Sequence, residues 1–228
     1  EVVRLLGGIA MQHHVPVSLH GTGGAWMMTD SSTDSDRLHD AIVGSLDRKV
    51  CNTLNTICLL ESNVKELLPI VLGALEQSGE TLGQSYRVHV ASQSRQWFED
   101  VLFDRTIDVV RPDGLNKESQ FDEIPIESLA EEWLWEQTPE VSIVVVQSLD
   151  DAIELFNQYS PKFVASLISQ NQITLTRFFS RIDCPFVGNG MTRWVDGQYA
   201  LNSPELGLSN WENGRFLARS AILSGHSI

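Results

Sequence analysis

Positive charge is scarce in this chain of 228 residues: 16 lysines and arginines stand against 30 aspartates and glutamates, a formal charge of -14. Such a chain repels the phosphates of nucleic acid and the anionic face of a membrane, so neither is an expected partner. Long apolar runs are missing too. No stretch approaches the ~20 residues of a membrane-spanning helix, and no signal-peptide pattern opens the chain. Cysteine is sparse: Cys51, Cys58 and Cys184 are odd in number and lack C-x-x-C or histidine-rich spacing, which suits a reducing compartment and gives no metal-site signature. The expected location is the cytoplasm. There is no low-complexity tract, internal repeat or long linker, and 42% apolar residues suffice for one large core or two modest ones. Because Glu1 falls inside a helical pattern, the chain is expected to be part of a longer protein.

What is present is alternation. Val2, Val3, Leu5, Leu6, Ile9, Ala10 and Met11 recur at helical spacing, and Pro16 marks an end. A strand is expected at 15–19. The glycine-rich His20-Gly21-Thr22-Gly23-Gly24 reads as a phosphate-cradling loop or as a tight turn, and lacks the Lys-Ser/Thr ending of a P-loop. A strand from Trp26 to Thr29 and a helix with Leu38, Ala41, Ile42 and Leu46 inward follow. Apolar Ile57-Cys58-Leu59-Leu60 precedes an amphipathic helix with Val64, Leu67, Leu68, Val71, Ala74 and Leu75 on one face. Pro69 marks either a kink in that helix or its real start. After a short strand at 86–90, the region from Arg105 to Pro125 is charged, turn-rich and the least regular part. Val141 to Val146 is a β-branched run of the kind buried on both faces of a parallel sheet. Helices at 149–159 and 173–182 alternate with strands at 163–169 and 186–187. The expected fold is therefore a three-layer α/β/α arrangement with a mainly parallel sheet.

The stretch Arg48-Lys49-Val50-Cys51-Asn52-Thr53-Leu54-Asn55-Thr56 sets a cysteine beside a basic pair and just before a buried strand. Arg48 and Lys49 are expected to favour the thiolate, the nucleophilic form; the alternative is a small buried hydrophobe. Cys58 and Cys184 are expected in apolar strands, as core. His20 is the histidine expected nearest the site, or a turn histidine.

V-C-N-T-L-N-T resembles the V-C-N-A-L-E-T segment of gamma-glutamyl phosphate reductase, also called glutamate-5-semialdehyde dehydrogenase, in the aldehyde dehydrogenase superfamily. Three further blocks resemble that family in order. They are Pro16-Val17, His20, Gly23 and Asp30; Glu132-Trp133 to Glu136 running into Val141–Val146 and Ser148-Leu149-Asp150-Asp151-Ala152-Ile153; and Asn189-Gly190-Met191-Thr192-Arg193-Trp194-Val195-Asp196-Gly197 with Glu205-Leu206-Gly207-Leu208-Ser209. The resemblance implies that residues 1–228 are an aldehyde dehydrogenase-like catalytic domain, with the N-terminal dinucleotide-binding domain largely missing and 1–20 as its trailing segment. It implies Cys51 as catalytic nucleophile, Asn52, Asn189, Thr192 and Arg193 as substrate-binding residues, and Glu136 as the carboxylate toward the nicotinamide ribose of NADPH (NADP). Arg193 reads equally as a structural ion pair with Asp196 or Glu205, and Glu136 as an exposed helix-end glutamate. The implied reaction reduces an acyl phosphate to glutamate-5-semialdehyde in proline biosynthesis, through a thioacyl enzyme; homo-oligomer formation is left open. Hydrolytic relatives carry a glutamate in an L-E-L-G-G segment, whereas Leu19-His20-Gly21-Thr22-Gly23-Gly24 has no carboxylate, which favours acyl-phosphate reduction over hydrolysis to acid. Two departures bear on substrate identity. Lys162-Phe163-Val164-Ala165 stands where the family has His-His-Thr-Glu, and Tyr199-Ala200-Leu201-Asn202 replaces F-G-x-G. The alternatives are another substrate within the superfamily, or a diverged, non-catalytic interaction module.

Overall fold

The computed structural model describes residues 2–14 and 22–195 and a few short strand segments beyond. The strand expected at 15–19, together with His20, Gly21 and 196–202, lies outside the described residues.

Helix α1 (Val2–Gln12) precedes strand β1 (Ala25–Thr29) and helix α2 (Ser35–Ser45). Asp34 starts α2 by accepting the Arg37 N–H at 2.9 Å, satisfying one of the free amides of the first turn. Strand β2 (Leu54–Leu60) leads to α3 (Val64–Thr81), β3 (Arg87–Ala91) and the single turn α4 (Asp100–Phe103). Next come β4 (Thr106–Arg111), β5 (Gly114–Ser119), β6 (Phe121–Ile124) and β7 (Glu140–Val146). The alternation closes with α5 (Leu149–Tyr159), β8 (Val164–Ile168), α6 (Gln172–Arg181) and β9 (Phe186–Gly188). Beyond these, Glu205–Leu206 pairs with Leu223–Ser224 and Asn210–Glu212 with Arg215–Leu217, both antiparallel.

Seven strands form one sheet in the order β6-β3-β7-β2-β1-β8-β9, and every neighbouring pair is parallel. Alternate side chains of each strand enter opposite layers, the period of two that a pleated strand imposes. Met27, Ile57, Leu59 and Ile143 pack with Leu38 and Ile42 of α2 and Leu67 and Val71 of α3. Trp26, Met28, Cys58 and Val144 pack with Ile153 and Phe156 of α5 and Leu175 and Phe178 of α6. The three-layer expectation is thus met, with helices on both faces, which a fully parallel sheet requires.

Of two local readings, Pro69 is not the start of its helix, and the segment from Arg105 is more regular than expected. Helix α3 runs unbroken through Pro69, because Pro69 and Lys65 are both exposed and the carbonyl that loses its donor can turn to water. The segment read as least regular holds a hairpin, β4 with β5, and the edge strand β6. β5 is polar and largely exposed, and β4 has only Val109 buried, so the segment offers little apolar pattern.

Ion pairs fasten this hairpin to the sheet. Arg111 donates to Glu118 at 2.7 and 2.8 Å and reaches the buried Glu140 at 2.7 Å; Arg87 meets Glu118 at 2.6 Å and Asp122 at 3.1 Å. His89, buried beneath, lies 2.6 Å from Asp122 and 3.3 Å from Glu140 and stacks on Trp133 at 3.6 Å. Burial lowers the His89 pKa, but Asp122 and then Glu140 outweigh it and leave the imidazole above its ordinary 6.5. Burial raises the Asp122 carboxyl, yet the His89 ring and Arg87 bring it below its ordinary 3.8.

A histidine whose folded pKa exceeds its unfolded value adds stability that is complete below the unfolded value and is lost as pH rises through the folded one. The Asp122 contribution has the opposite sense, present above pH 3.8 and lost as pH falls through the lowered folded value. Melting temperatures should therefore fall as the pH is raised above 6.5, and His89→Asn should flatten that limb. Parallel melting curves for the two proteins from about pH 5 to about pH 9 would show that the cluster does not act through His89.

Candidate active site around Cys51

Strand β2 is the middle strand of seven, and Cys51 occupies the turn at its amino end. The Thr53 hydroxyl closes this turn, donating to the Arg48 carbonyl at 2.7 Å and accepting the Val50 N–H at 2.8 Å. From the opposite side the Cys51 carbonyl accepts the Gly24 N–H at 2.7 Å, and the Thr53 carbonyl the Ala25 N–H at 2.9 Å. The ladder between β1 and β2 thus extends into the cysteine turn. Ala25, Phe163, Val164 and Phe186 pack about the half-buried Cys51.

Gly23 is the closest approach. A Cβ there would lie 2.6 Å from the Cys51 carbonyl oxygen, 2.7 Å from its Cα and 2.9 Å from Glu132 Oε1, distances that no side chain tolerates. Its N–H donates to Glu132 Oε2 at 2.6 Å, while Lys49 Nζ meets Glu132 Oε1 at 2.6 Å. Glu132 is set there by a bulge. Ala25 pairs with Leu54 but Trp26 with Thr56, leaving Asn55 unmatched and its side chain re-aimed. The Asn55 amide donates to the Glu131 carbonyl at 2.8 Å and accepts the Trp133 N–H at 2.9 Å, gripping the chain on both sides of Glu132.

On another side, the 3-10 turn Thr192–Val195 docks on the end of α2. The Thr192 N–H donates to Ser45 Oγ at 2.8 Å, and its hydroxyl to the Asn52 carbonyl at 2.8 Å. Arg193, fully buried, donates Nε to Asp47 at 2.8 Å and a terminal nitrogen to Asn52 Oδ1. Asp47 is thus an ion-pair partner of Arg193; Asp196 and the side chain of Glu205, the partners expected from the sequence, lie outside the described residues.

The thiol does not meet the activating surroundings expected of it. Burial, then the Glu132 carboxylate, push Cys51 above its ordinary value; its own backbone N–H, Lys49 and Arg193 only partly counter them. Lys49 is neutralised by Glu132, and Arg48 lies 3.6 Å from Asp47, so the basic pair does not act as a free positive field. Cys58 is also pushed up by burial, and Cys184 to about 12. Cys58 lies in β2 as expected, but Cys184 precedes β9 in a half-buried loop and is not in a strand.

The structure therefore gathers Cys51, Asn52, Thr192 and Arg193. It puts Asn189 elsewhere: its carbonyl accepts from Arg37 at 2.6 Å, and it lines a cavity of about 480 Å³ with Phe179, Met191 and Trp194. A second cavity of about 480 Å³ lies among Glu61, Gln93, Trp97 and Gln147, near the carboxyl ends of β2, β3 and β7. Cys51 lines neither. Glu136 is exposed. Glu132 and Asn55 were missed as site residues, although each stands inside a block that carried the resemblance, Asn55 where that segment has glutamate. Among the described residues, no cluster of histidine, cysteine and carboxylate can hold a metal ion, and no helix is long and apolar enough to cross a membrane.

A parallel seven-stranded sheet between helical layers is the aldehyde dehydrogenase-like α/β fold. The crystal structure of an NAD-dependent aldehyde dehydrogenase from Sinorhizobium meliloti matches it with a TM-score of 0.57 at 17% identity, over 83% of this chain and 41% of that one. More particularly, the chain is related to gamma-glutamyl phosphate reductases. A curated protein of that name from Clostridium tetani is 24% identical over 209 residues, 90% of this chain and 44% of its own length. The crystal structure of gamma-glutamyl phosphate reductase from Thermotoga maritima matches with a TM-score of 0.66 at 22% identity, over 92% of this chain and 45% of that one. The chain thus spans less than half the length of these relatives. No family model matches it.

The contact at Gly23 yields a direct prediction. Gly23→Ala should force the Cys51 turn away from β1 and cost on the order of 1–3 kcal/mol of stability, read by urea unfolding, with faster alkylation of Cys51 as its packing opens. Unchanged stability and thiol reactivity would mean that the two backbones can separate freely.

Proposed function

We propose that residues 1–228 are the catalytic domain of a gamma-glutamyl phosphate reductase-like oxidoreductase, which uses NADPH to reduce an acyl phosphate to glutamate-5-semialdehyde on the way to proline. The observation that carries this reading is Cys51 in the turn of V-C-N-T-L-N-T at the amino end of the central strand, in a chain related to that enzyme over 90% of its length.

As a thiolate, Cys51 adds to the acyl carbon; the electron pair then returns from oxygen to expel phosphate and leave a thioacyl enzyme. The Cys51 N–H is the proposed donor to the transient oxyanion. Arg193 fixes the Asn52 amide through Oδ1, which leaves the buried Nδ2, without a partner among the described groups, as a donor toward the substrate. NADPH, when bound, supplies the hydride that reduces the thioacyl carbon, after which the C–S electrons return to Cys51 and the aldehyde leaves.

The residues present suit one end of that cofactor. The exposed Glu136 can accept from the ribose hydroxyls, whereas the first turns of α2, α3 and α5 carry Asp36, Glu66, Asp150 and Asp151 and repel a diphosphate. The resemblance assigns the diphosphate contacts to an N-terminal dinucleotide-binding domain, of which 1–20 would be the trailing segment. The stretch Leu19–Gly24 has no carboxylate of its own, but Glu132 brings one to it from 109 residues away. Held by Lys49 and the Gly23 amide, it is a poor base for water, so the preference for phosphate release over hydrolysis stands on that pairing.

A second reading, another acyl substrate, is favoured by two observations. Arg193, expected to hold an anionic group, is engaged by Asp47 and Asn52, and the departure from His-His-Thr-Glu puts the buried Phe163 in the apolar cluster that Cys51 packs against.

In the full-length protein, Cys51→Ser should abolish reduction with the circular dichroism spectrum unchanged, while the isolated 228-residue chain should be inactive and bind NADPH weakly in calorimetry. Persistent turnover by the serine variant would refute the nucleophile. A kcat/KM in the reverse assay that is higher for an uncharged aldehyde than for glutamate-5-semialdehyde would select the second reading.

A further inference from the structure

We propose that Glu132 is a positioning residue for Cys51, a carboxylate that ties the Gly23 turn and the Lys49 ammonium together beside the sulfur and so sets the charge the thiol meets. The inference deepens the reading of Cys51 as nucleophile and rests on it.

The geometry is over-determined for a surface ion pair. Glu132 comes from the segment before β7, 83 residues from Lys49 and 109 from Gly23. Asn55 holds its backbone on both sides, at Glu131 and at Trp133. One carboxylate oxygen accepts an amide and the other an ammonium, each at 2.6 Å, and both side chains of the pair are largely buried, 11% and 18% exposed. Gly23, to which the carboxylate is bonded, is in turn pressed on the Cys51 carbonyl and Cα. Moving Glu132 therefore moves the support of the nucleophile.

The charged groups that bear on the sulfur are Glu132, Lys49 from its own turn, and Arg193 from the turn packed below, itself bonded to Asp47. The apolar neighbours Phe163 and Phe186 add burial without charge. In this arrangement the carboxylate opposes ionisation directly and also neutralises the nearest cation. The resting site is one in which the thiol stays protonated, and removing either end of the pair acts on it with opposite sign.

That difference in sign separates an electrostatic role from a structural one. The pH profile of alkylation by iodoacetamide, mapped to each cysteine by mass spectrometry, should be measured for the unaltered chain, Glu132→Gln and Lys49→Met. Cys58 and Cys184 serve as internal references. Glu132→Gln keeps the shape and loses the charge, so the Cys51 profile should move to lower pH and the rate at pH 7 rise about tenfold, one pKa unit. Lys49→Met leaves the carboxylate unneutralised, and the rate should fall by a similar factor. Both variants break the same ion pair, so a merely structural role would move both profiles in one direction through loosening of the turn. Shifts of the same sign, or no shift, would overturn the proposal; slower alkylation in the Lys49 variant is the deciding result, because loosening of the turn would speed it, and Lys49→Gln takes the place of Lys49→Met if that variant does not fold. Because the readout is ionisation and not turnover, it stays separable from failure of the functional reading, which the Cys51→Ser assay detects.

Discussion

The hydrogen bond from the Gly24 N–H to the Cys51 carbonyl, 2.7 Å long, is the contact on which the candidate site depends. It extends the parallel pairing of β1 and β2 past the end of the sheet, so that the Cys51 turn is carried by two strands at the centre of the fold. Two backbones can come this close only because Gly23 has no side chain. The bulge at Asn55 follows from the same crowding: with the glycine turn pressed on Cys51, the register slips by one residue, and the released side chain grips the segment that delivers Glu132. Sheet geometry, not local sequence, thus brings a carboxylate to the cysteine.

Charge at the site is closely paired. Lys49 is matched by Glu132 and Arg193 by Asp47, as Arg87 and Arg111 are by Glu118 and Glu140 at the hairpin. In a protein of net charge -14, such pairing lets cations sit in the interior at tolerable cost, since a buried charge without a partner is strongly destabilising. Among the described residues around Cys51, the cations Lys49 and Arg193 are thus each held by a carboxylate.

The sheet and its helical layers were legible because each element carries its own pattern: a β-branched run at Val141–Val146 and apolar faces at intervals of three and four in α2 and α3. The hairpin of β4 and β5 was not, because it is held by Arg111, Glu118 and Glu140 meeting across the chain, and Val109 alone of its two strands is buried, too short a pattern to read. At the site, Cys51 stood out as a motif, and Asn52, Thr192 and Arg193 do converge with it. Of the basic pair, Lys49 does favour the thiolate, but burial and Glu132 outweigh it; Asp47 beside Arg48 was there to read, whereas Glu132 lies 83 residues from Lys49. Asn55 looked like one more polar residue of a strand, for only the slipped register gives it a separate task.

The central claim is that Cys51 is acylated. The most direct measurement is to mix the full-length protein with an acyl phosphate in the absence of NADPH, quench in acid, digest, and weigh the peptides that carry Cys51, Cys58 and Cys184. The account predicts an added acyl mass on the Cys51 peptide alone, removed by hydroxylamine as a thioester should be. An unmodified Cys51 peptide, or the acyl group on Cys58 or Cys184, would contradict it.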